Sequence, residues 1–232
     1  MTKNVLYKES FRTLVLEGIA NNTYIGIGNP NSKILIVGKE GSELNKQEDE
    51  ISFAKDWLPK IENNEISFRR FKKADLVKGY SGEGHTWNKY QKLHDYIFTE
   101  DLDNREKNEI NFEEKIFTTE MNINRSKRAN DAPKDGMQER KDTFFRSEFI
   151  QQFPVIILAC GDYIKNNEKV REIDDIFGVE FDREYKTAQS FWTHYNPDKT
   201  KLVIHTRQLS IAVSEELLKD MAKVIIEHLS KI

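Results

Sequence analysis

The sequence predicts an α/β protein: a three-layer α/β/α domain around a mainly parallel sheet, with residues 1–232 as one unit. Three observations carry that expectation. The apolar runs ILIV at 34–37 and VIILAC at 155–160 are continuous rather than alternating, as strands buried on both faces are. Each is followed by glycine, where such a sheet turns to its ligand-binding side. Amphipathic helical stretches separate the strands. The last runs from Ser214 to Leu229 with Leu217, Leu218, Met221, Val224, Ile225 and Leu229 inward.

Taken in order, the first helix is expected between Val5 and Ala20. Leu6, Phe11, Leu14, Val15 and Ile19 approximate a helical stripe there, and Asn21-Asn22 marks its stop. A loop rich in Gly, Asn and Pro feeds the first strand. Residues 43–62 read as a polar helix carrying Phe53, Trp57, Leu58 and Ile61. Trp87 to Phe98 reads as another, with Trp87, Tyr90, Leu93, His94 and Ile97 on one side. Residues 99–114 are strongly charged, and an exposed connection is expected. KIFTTEMN at 115–122 reads as a second strand, Arg125 to Gly136 as a basic irregular loop, and Glu139 to Phe153 as a helix. PVIILACG at 154–161 belongs at the centre of the sheet. A helix over Glu168 to Phe177 follows, and FWTHYNPDKTKLVIHT reads as two strands around an Asn-Pro-Asp turn.

Composition narrows the function classes. The chain holds 14 Phe, 8 Tyr and 3 Trp, spread along its length and enough for a core, which argues against a disordered chain. One cysteine, Cys160, excludes a disulfide framework and any Cys-rich zinc or iron–sulfur site, and its place in an apolar strand reads as inert packing. No apolar run approaches the roughly 20 residues of a membrane span. The charged start MTKNVLYKES lacks the apolar stretch of a signal peptide, so a cytoplasmic protein without a membrane partner is expected. A net charge of −3 argues against a surface basic all over but leaves local basic patches open. His94 and His194 have no metal-ligand partners at useful spacing, and no metal or other cofactor is expected. GKEGS has neither P-loop spacing nor a dinucleotide fingerprint.

Ligands of such sheets bind beyond the carboxyl ends of the strands. The residues there are Gly38-Lys39-Glu40-Gly41-Ser42, Glu120-Met121-Asn122, Gly161-Asp162 and His205-Thr206-Arg207-Gln208-Leu209-Ser210. A carboxylate, a side-chain amide and an imidazole are thus expected in one crevice. Each also has a plainer reading. Glu40 can be a solvated loop carboxylate, Asn122 a turn residue, His205 a histidine closing a strand end, and Leu209 a staple for the final helix.

These segments resemble the uracil-DNA glycosylase superfamily. GNPNSKILIVGKEGS is similar to its first strand and loop, GNPxAKIxxVGEAPG in one branch and GQDPYH in another. VIILACGDY is similar to its central strand, and LVIHTRQLS to its last motif, HPSPLS. IFTTEMN stands where the family has a strand ending in a base-reading Asn. The motifs keep the family's order from residue 28 to residue 210. The resemblance implies a central sheet of four strands and cleavage of the N-glycosidic bond of uracil or a related damaged base. DNA, single- or double-stranded, is the implied partner.

The implied catalytic residues are Glu40, at the water-activating Asp of the second branch, and His205, a donor to uracil O2. The acid of the first branch falls instead at Lys39. The implied substrate-binding residues are Gly38, Lys39, Gly41, Tyr80, Asn122, Arg207 and Leu209. Leu209 stands at the leucine that fills the duplex once a nucleotide is flipped out, and Tyr80 or Trp87, flanking the glycine-rich SGEGH, would stack on a base. The chemistry suits these residue types. A carboxylate positions water, neutral donors stabilise the departing uracil anion, and an Asn amide pairs with O4 and N3–H together. Phosphate clamps are offered by Arg69, Arg70, Lys72 and Lys73, and by Arg125, Lys127, Arg128 and Lys134. Gly41 replaces the family's first-motif proline and Thr206-Arg207 its Pro-Ser. These departures favour the alternative, a catalytically inactive DNA- or base-binding protein of the same fold.

Overall fold

The apolar runs form the centre of a seven-stranded sheet in a computed structural model that describes residues 2–40, 52–72, 83–99, 109–124, 132–186, 189–210 and 212–232. In chain order the strands are β1 (Thr2–Asn4), β2 (Ile27–Gly28), β3 (Ile34–Gly38), β4 (Glu65–Ser67), β5 (Phe71–Lys72), β6 (Glu109–Ile110), β7 (Ile116–Glu120), β8 (Val155–Leu158), β9 (Glu180–Tyr185), β10 (Phe191–Tyr195) and β11 (Leu202–His205). The sheet order is β2-β7-β3-β8-β11-β10-β9, while β1/β4 and β5/β6 are separate pairs. Strands β7, β3, β8 and β11 run parallel, and antiparallel strands extend both flanks.

The expectation of four strands is therefore corrected: the four parallel strands are the middle of seven. The extra edges gave little apolar signal. Strand β9 reads EFDREY and buries none of its residues, so period-two burial could not betray it. Its charges suit an edge, where they discourage pairing with another chain. Strand β2 is two residues long and fits against β7 only because Gly28 has no side chain. Its φ is +96°, and a Cβ there would stand 2.2 Å from the Ile116 carbonyl oxygen.

Alternation along the buried strands sends side chains to two cores. Leu35, Val37, Phe117, Ile156, Leu158 and Val203 meet Phe11, Trp57, Phe149 and Phe177, carried by helices Glu9–Gly18, Ala54–Asn63, Glu148–Gln151 and Glu172–Phe177. Ile34, Ile36, Ile116, Ile157 and Ile204 meet Trp87, Leu93, Leu217 and Met221 of helices Glu83–Ile97 and Glu215–Leu229. Helices thus cover both faces of the sheet. The closing helix begins where its sequence says it should: Ser214 accepts a hydrogen bond from the Leu217 amide at 3.1 Å. No helix among the described residues is long and apolar enough to cross a membrane.

Two further expectations are revised. The single helix over 139–153 is two short ones, Met137–Asp142 and Glu148–Gln151. The Thr143 hydroxyl turns back on the Glu139 carbonyl at 2.8 Å, and Ser147 caps the second helix. Buried Phe144 and Phe145 fill the break. Of the stretch read as an exposed connection, residues 109–114 are anchored. Strand β6 pairs with β5, Phe112 is buried, and the buried Gln91 carbonyl oxygen accepts from the amides of Asn111 and Phe112 at 2.7 and 2.9 Å.

Leu209 settles between its two readings. It is 0% exposed and packs in the cluster of Ile204, Val213 and Leu217 beneath the closing helix. A side chain so placed cannot enter a base stack, so the wedge expectation is corrected to the staple. Leu209→Ala should lower the unfolding free energy by about 2–5 kcal/mol in a denaturant titration. A loss below about 1 kcal/mol would return the residue to the surface role.

Candidate functional site

Parallel pairing aligns the strand ends. Gly38 lies opposite Glu120, Val37 opposite Leu158, and Leu158 opposite His205. The chain leaves all four strands along one edge, and backbone bonds tie the departing segments together. The Asn122 amide donates to the Lys39 carbonyl at 2.8 Å and the Met121 amide to that of Gly38 at 2.9 Å. On the other side, the Thr206 amide donates to Leu158 at 3.0 Å and the Gly161 amide to Thr206 at 3.2 Å. Gly38 itself is a matter of space. A Cβ there would meet the Glu120 carboxylate at 2.2 Å, so a second carboxylate lies directly over the end of β3.

Beyond β8 the chain makes a tight turn, Gly161–Tyr163, opened by Gly161 at φ +53°. This turn supplies what sequence reasoning missed. The buried Tyr163 phenol stands beside the Glu40 carboxylate and the Asn122 side chain, close enough for its hydroxyl to hold the Glu40 pKa down. Two ammonium groups stand over its ring, Lys39 at 4.6 Å and Lys134 at 5.0 Å. Lys39 also bonds Asp162 at 2.6 Å, which holds the Asp162 carboxyl below its usual range. Glu40, Tyr163 and Asn122 are thus one polar cluster with cations around it.

Burial pushes the Glu40 pKa up, against the pull of the Tyr163 hydrogen bond and the Lys39 and Lys134 charges, with Asp162 adding to the rise. One carboxylate oxygen of Glu40 is buried outright. A carboxylate raised in this way accepts a proton more readily, the property a general base needs. Desolvation, then the Glu40 hydrogen bond, raise the Tyr163 phenol far out of the neutral range, so it serves as a donor. Burial pushes the Cys160 thiol up to about 12, and it stays an inert packing residue.

The other expected site residues are placed differently. Asn122 is fully buried, and its side chain also organises its own loop: Nδ2 donates to the Pro133 carbonyl at 2.8 Å, and Oδ1 accepts from the Asn124 amide at 3.0 Å. His205 reaches the same sheet edge, but Nε2 donates to the Gly161 carbonyl at 2.9 Å and Nδ1 lies 3.2 Å from Asn166 Nδ2. It closes the strand end as its plainer reading had it, and neither ring nitrogen is left to donate to a base. Arg207 is exposed. Trp87 is buried under the Arg69 guanidinium at 4.7 Å, a core position. Gly41 and Tyr80 lie outside the described residues, as do Lys73, Arg125, Lys127 and Arg128.

Two of the expected phosphate clamps are already neutralised. Arg69 donates to Glu113 Oε1 at 2.6 and 2.9 Å, and Arg70 to Glu114 at 2.6 Å and Glu109 at 3.4 Å. The β5/β6 pairing brings that acidic segment alongside, and a cation so matched releases little free energy on meeting phosphate. Lys134 remains at the site's rim.

No protein-family model matches the chain, and no curated protein or solved structure matches it.

Tyr163→Phe tests the unit without touching packing. It keeps the ring and its cation contacts but removes the hydroxyl that lowers the Glu40 pKa. In a carboxyl 13C titration, Glu40 should protonate at higher pH in the variant than in the parent. An unchanged or lower value would contradict the arrangement.

Proposed function

We propose that the strand-end crevice is the active site of a DNA glycosylase-like hydrolase cleaving the N-glycosidic bond of uracil or a related damaged base. The observation that carries this reading is the Glu40–Tyr163–Asn122 unit at the carboxyl ends of β3, β8 and β7. It pairs a carboxylate of raised pKa with an amide at the edge where parallel sheets take their ligands. The parallel order β7-β3-β8-β11, with helices on both faces, accords with the three-layer uracil-DNA glycosylase-like fold. The resemblance places its four motifs on those same strands.

In this reading Glu40 takes the proton of a water whose oxygen attacks the anomeric carbon. The C–N bond breaks and its electron pair leaves with the base, which departs as an anion. The nearby Lys39 and Lys134 charges favour that anion as it forms. Asn122 reads the base by exchanging its Pro133 and Asn124 partners for O4 and N3–H. His205 supports the Gly161 turn rather than meeting the base.

A second reading, a base-binding protein without catalysis, is favoured by one feature: the side chains of both Asn122 and His205 are engaged inside the protein. One experiment separates them. Uracil-containing single- and double-stranded oligonucleotides are incubated with the protein and treated with alkali, and binding is followed in parallel. Strand cleavage that falls by about 10²- to 10⁴-fold in Glu40→Gln with binding retained is the expected result. Binding without cleavage would establish the second reading, and neither would refute both.

A further inference from the structure

Behind the Gly161 turn runs a partly buried chain of polar side chains that no part of the proposed chemistry uses. Asp174 Oδ1 lies 2.5 Å from His194 Nδ1, and His194 Nε2 lies 3.1 Å from Asn166 Nδ2. The same Nδ2 lies 3.2 Å from His205 Nδ1, and His205 Nε2 ends the chain on the Gly161 carbonyl at 2.9 Å. His194 is 0% exposed and His205 7%, while Asn166 and Asp174 are half-buried, so it is the two imidazoles that are shielded from water.

Hydrogen-bond polarity fixes every proton in this chain. Arg171 Nη1 donates to Asn166 Oδ1 at 2.8 Å, and Arg171 is itself seated on the Phe181 ring at 3.9 Å. A flipped amide would set NH₂ against the guanidinium, donor against donor, so the orientation is determined by Arg171. The two Nδ2 hydrogens then point at two imidazole nitrogens, which must both be bare. His194 is left with its proton on Nδ1, facing Asp174, and His205 with its proton on Nε2, facing Gly161. Two neutral histidines of opposite tautomer are held by one amide.

We propose that Asn166 is a positioning residue for the strand-end site. It locks His205 in the Nε2–H tautomer that grips Gly161 and so sets the turn that brings Asp162 to Lys39 and Tyr163 to Glu40. The consequence for catalysis rests on the reading of Glu40 as the base; the tautomer lock does not. Burial first, and then the Gly161 and His194 neighbours in opposing senses, leave the His205 pKa below its usual range. Burial also lowers His194, with Arg171, against the raising pull of Asp174 and Asp182. Groups depressed on folding stabilise the native state above the ordinary imidazole value, and that contribution is lost as pH falls through the folded values. The lock therefore opens on the acid side.

The test needs no substrate. In imidazole 15N correlation spectra at neutral pH, the parent should show His194 as the Nδ1–H and His205 as the Nε2–H tautomer. Asn166→Asp keeps an acceptor for Arg171 but offers only acceptors to the histidines, so both should become imidazolium. Asn166→Ala should release the turn and move the Glu40 titration upward, as loss of the Tyr163 hydroxyl does. An Nδ1–H His205 in the parent, or neutral histidines in Asn166→Asp, would overturn the lock. An unmoved Glu40 titration in folded Asn166→Ala would overturn the positioning role. Should Asn166→Ala not fold, the same titration in Asn166→Asp takes its place: with His205 charged behind the turn, Glu40 must shift, and an unshifted value counts against the proposal. Failure of the oligonucleotide assay would leave all these spectra unchanged, so the two ideas fail separately.

Discussion

Strands β3 and β8 are buried on both faces along their whole length, and the rest of the molecule answers to that constraint. An unpaired polar group within either strand would cost about 1–3 kcal/mol, with no solvent within reach. Polar side chains are therefore expelled to the strand ends. Four parallel strands ending in register gather what is expelled along one edge, where Lys39, Glu40, Asn122, Asp162, Tyr163 and His205 meet. The crevice is a consequence of the core rather than an addition to it.

Charge at that edge is sorted by what each group can find. Lys39 has Asp162, and at the far side of the fold Arg69 and Arg70 have Glu113, Glu114 and Glu109. Glu40 is the exception, a half-buried carboxylate whose Tyr163 neighbour and nearby cations do not fully offset its desolvation. Such imbalance is where reactivity is usually found. The Asp174–His194–Asn166–His205 chain is its opposite, each side chain matched to a partner, and it backs the turn against which Glu40 rests.

What the sequence made legible follows from how local each signal is. β3, β8 and the closing helix announce themselves through continuous or periodic apolar residues and the Ser214 cap, and they stand where expected. β9 was invisible because an edge strand needs no apolar face. The helix break at Thr143–Ser147 depends on hydroxyl contacts that periodicity does not register. At the site, Glu40 and Asn122 were legible as residues after strands, and they do share one neighbour. That neighbour, Tyr163, was not, because a tyrosine five residues past a buried strand reads as core until its hydroxyl is placed. Asn166 and His194 lie 28 residues apart and become partners only through the fold. Leu209 and Arg69 misled for a related reason: a resemblance fixes a residue's place in a motif but not the neighbours that claim it.

The central claim is that a base binds at the carboxyl ends of the parallel strands. A groove of about 450 Å³ at their amino ends, lined by Tyr195, Lys199 and His228 among others, is the natural rival. Titrating free uracil into 15N-labelled protein and following backbone amide shifts distinguishes the two. The account requires saturable shifts concentrated at Gly38–Glu40, Glu120–Asn122 and Gly161–Tyr163. Shifts confined to the residues around Tyr195 and His228, or none at all, would contradict it.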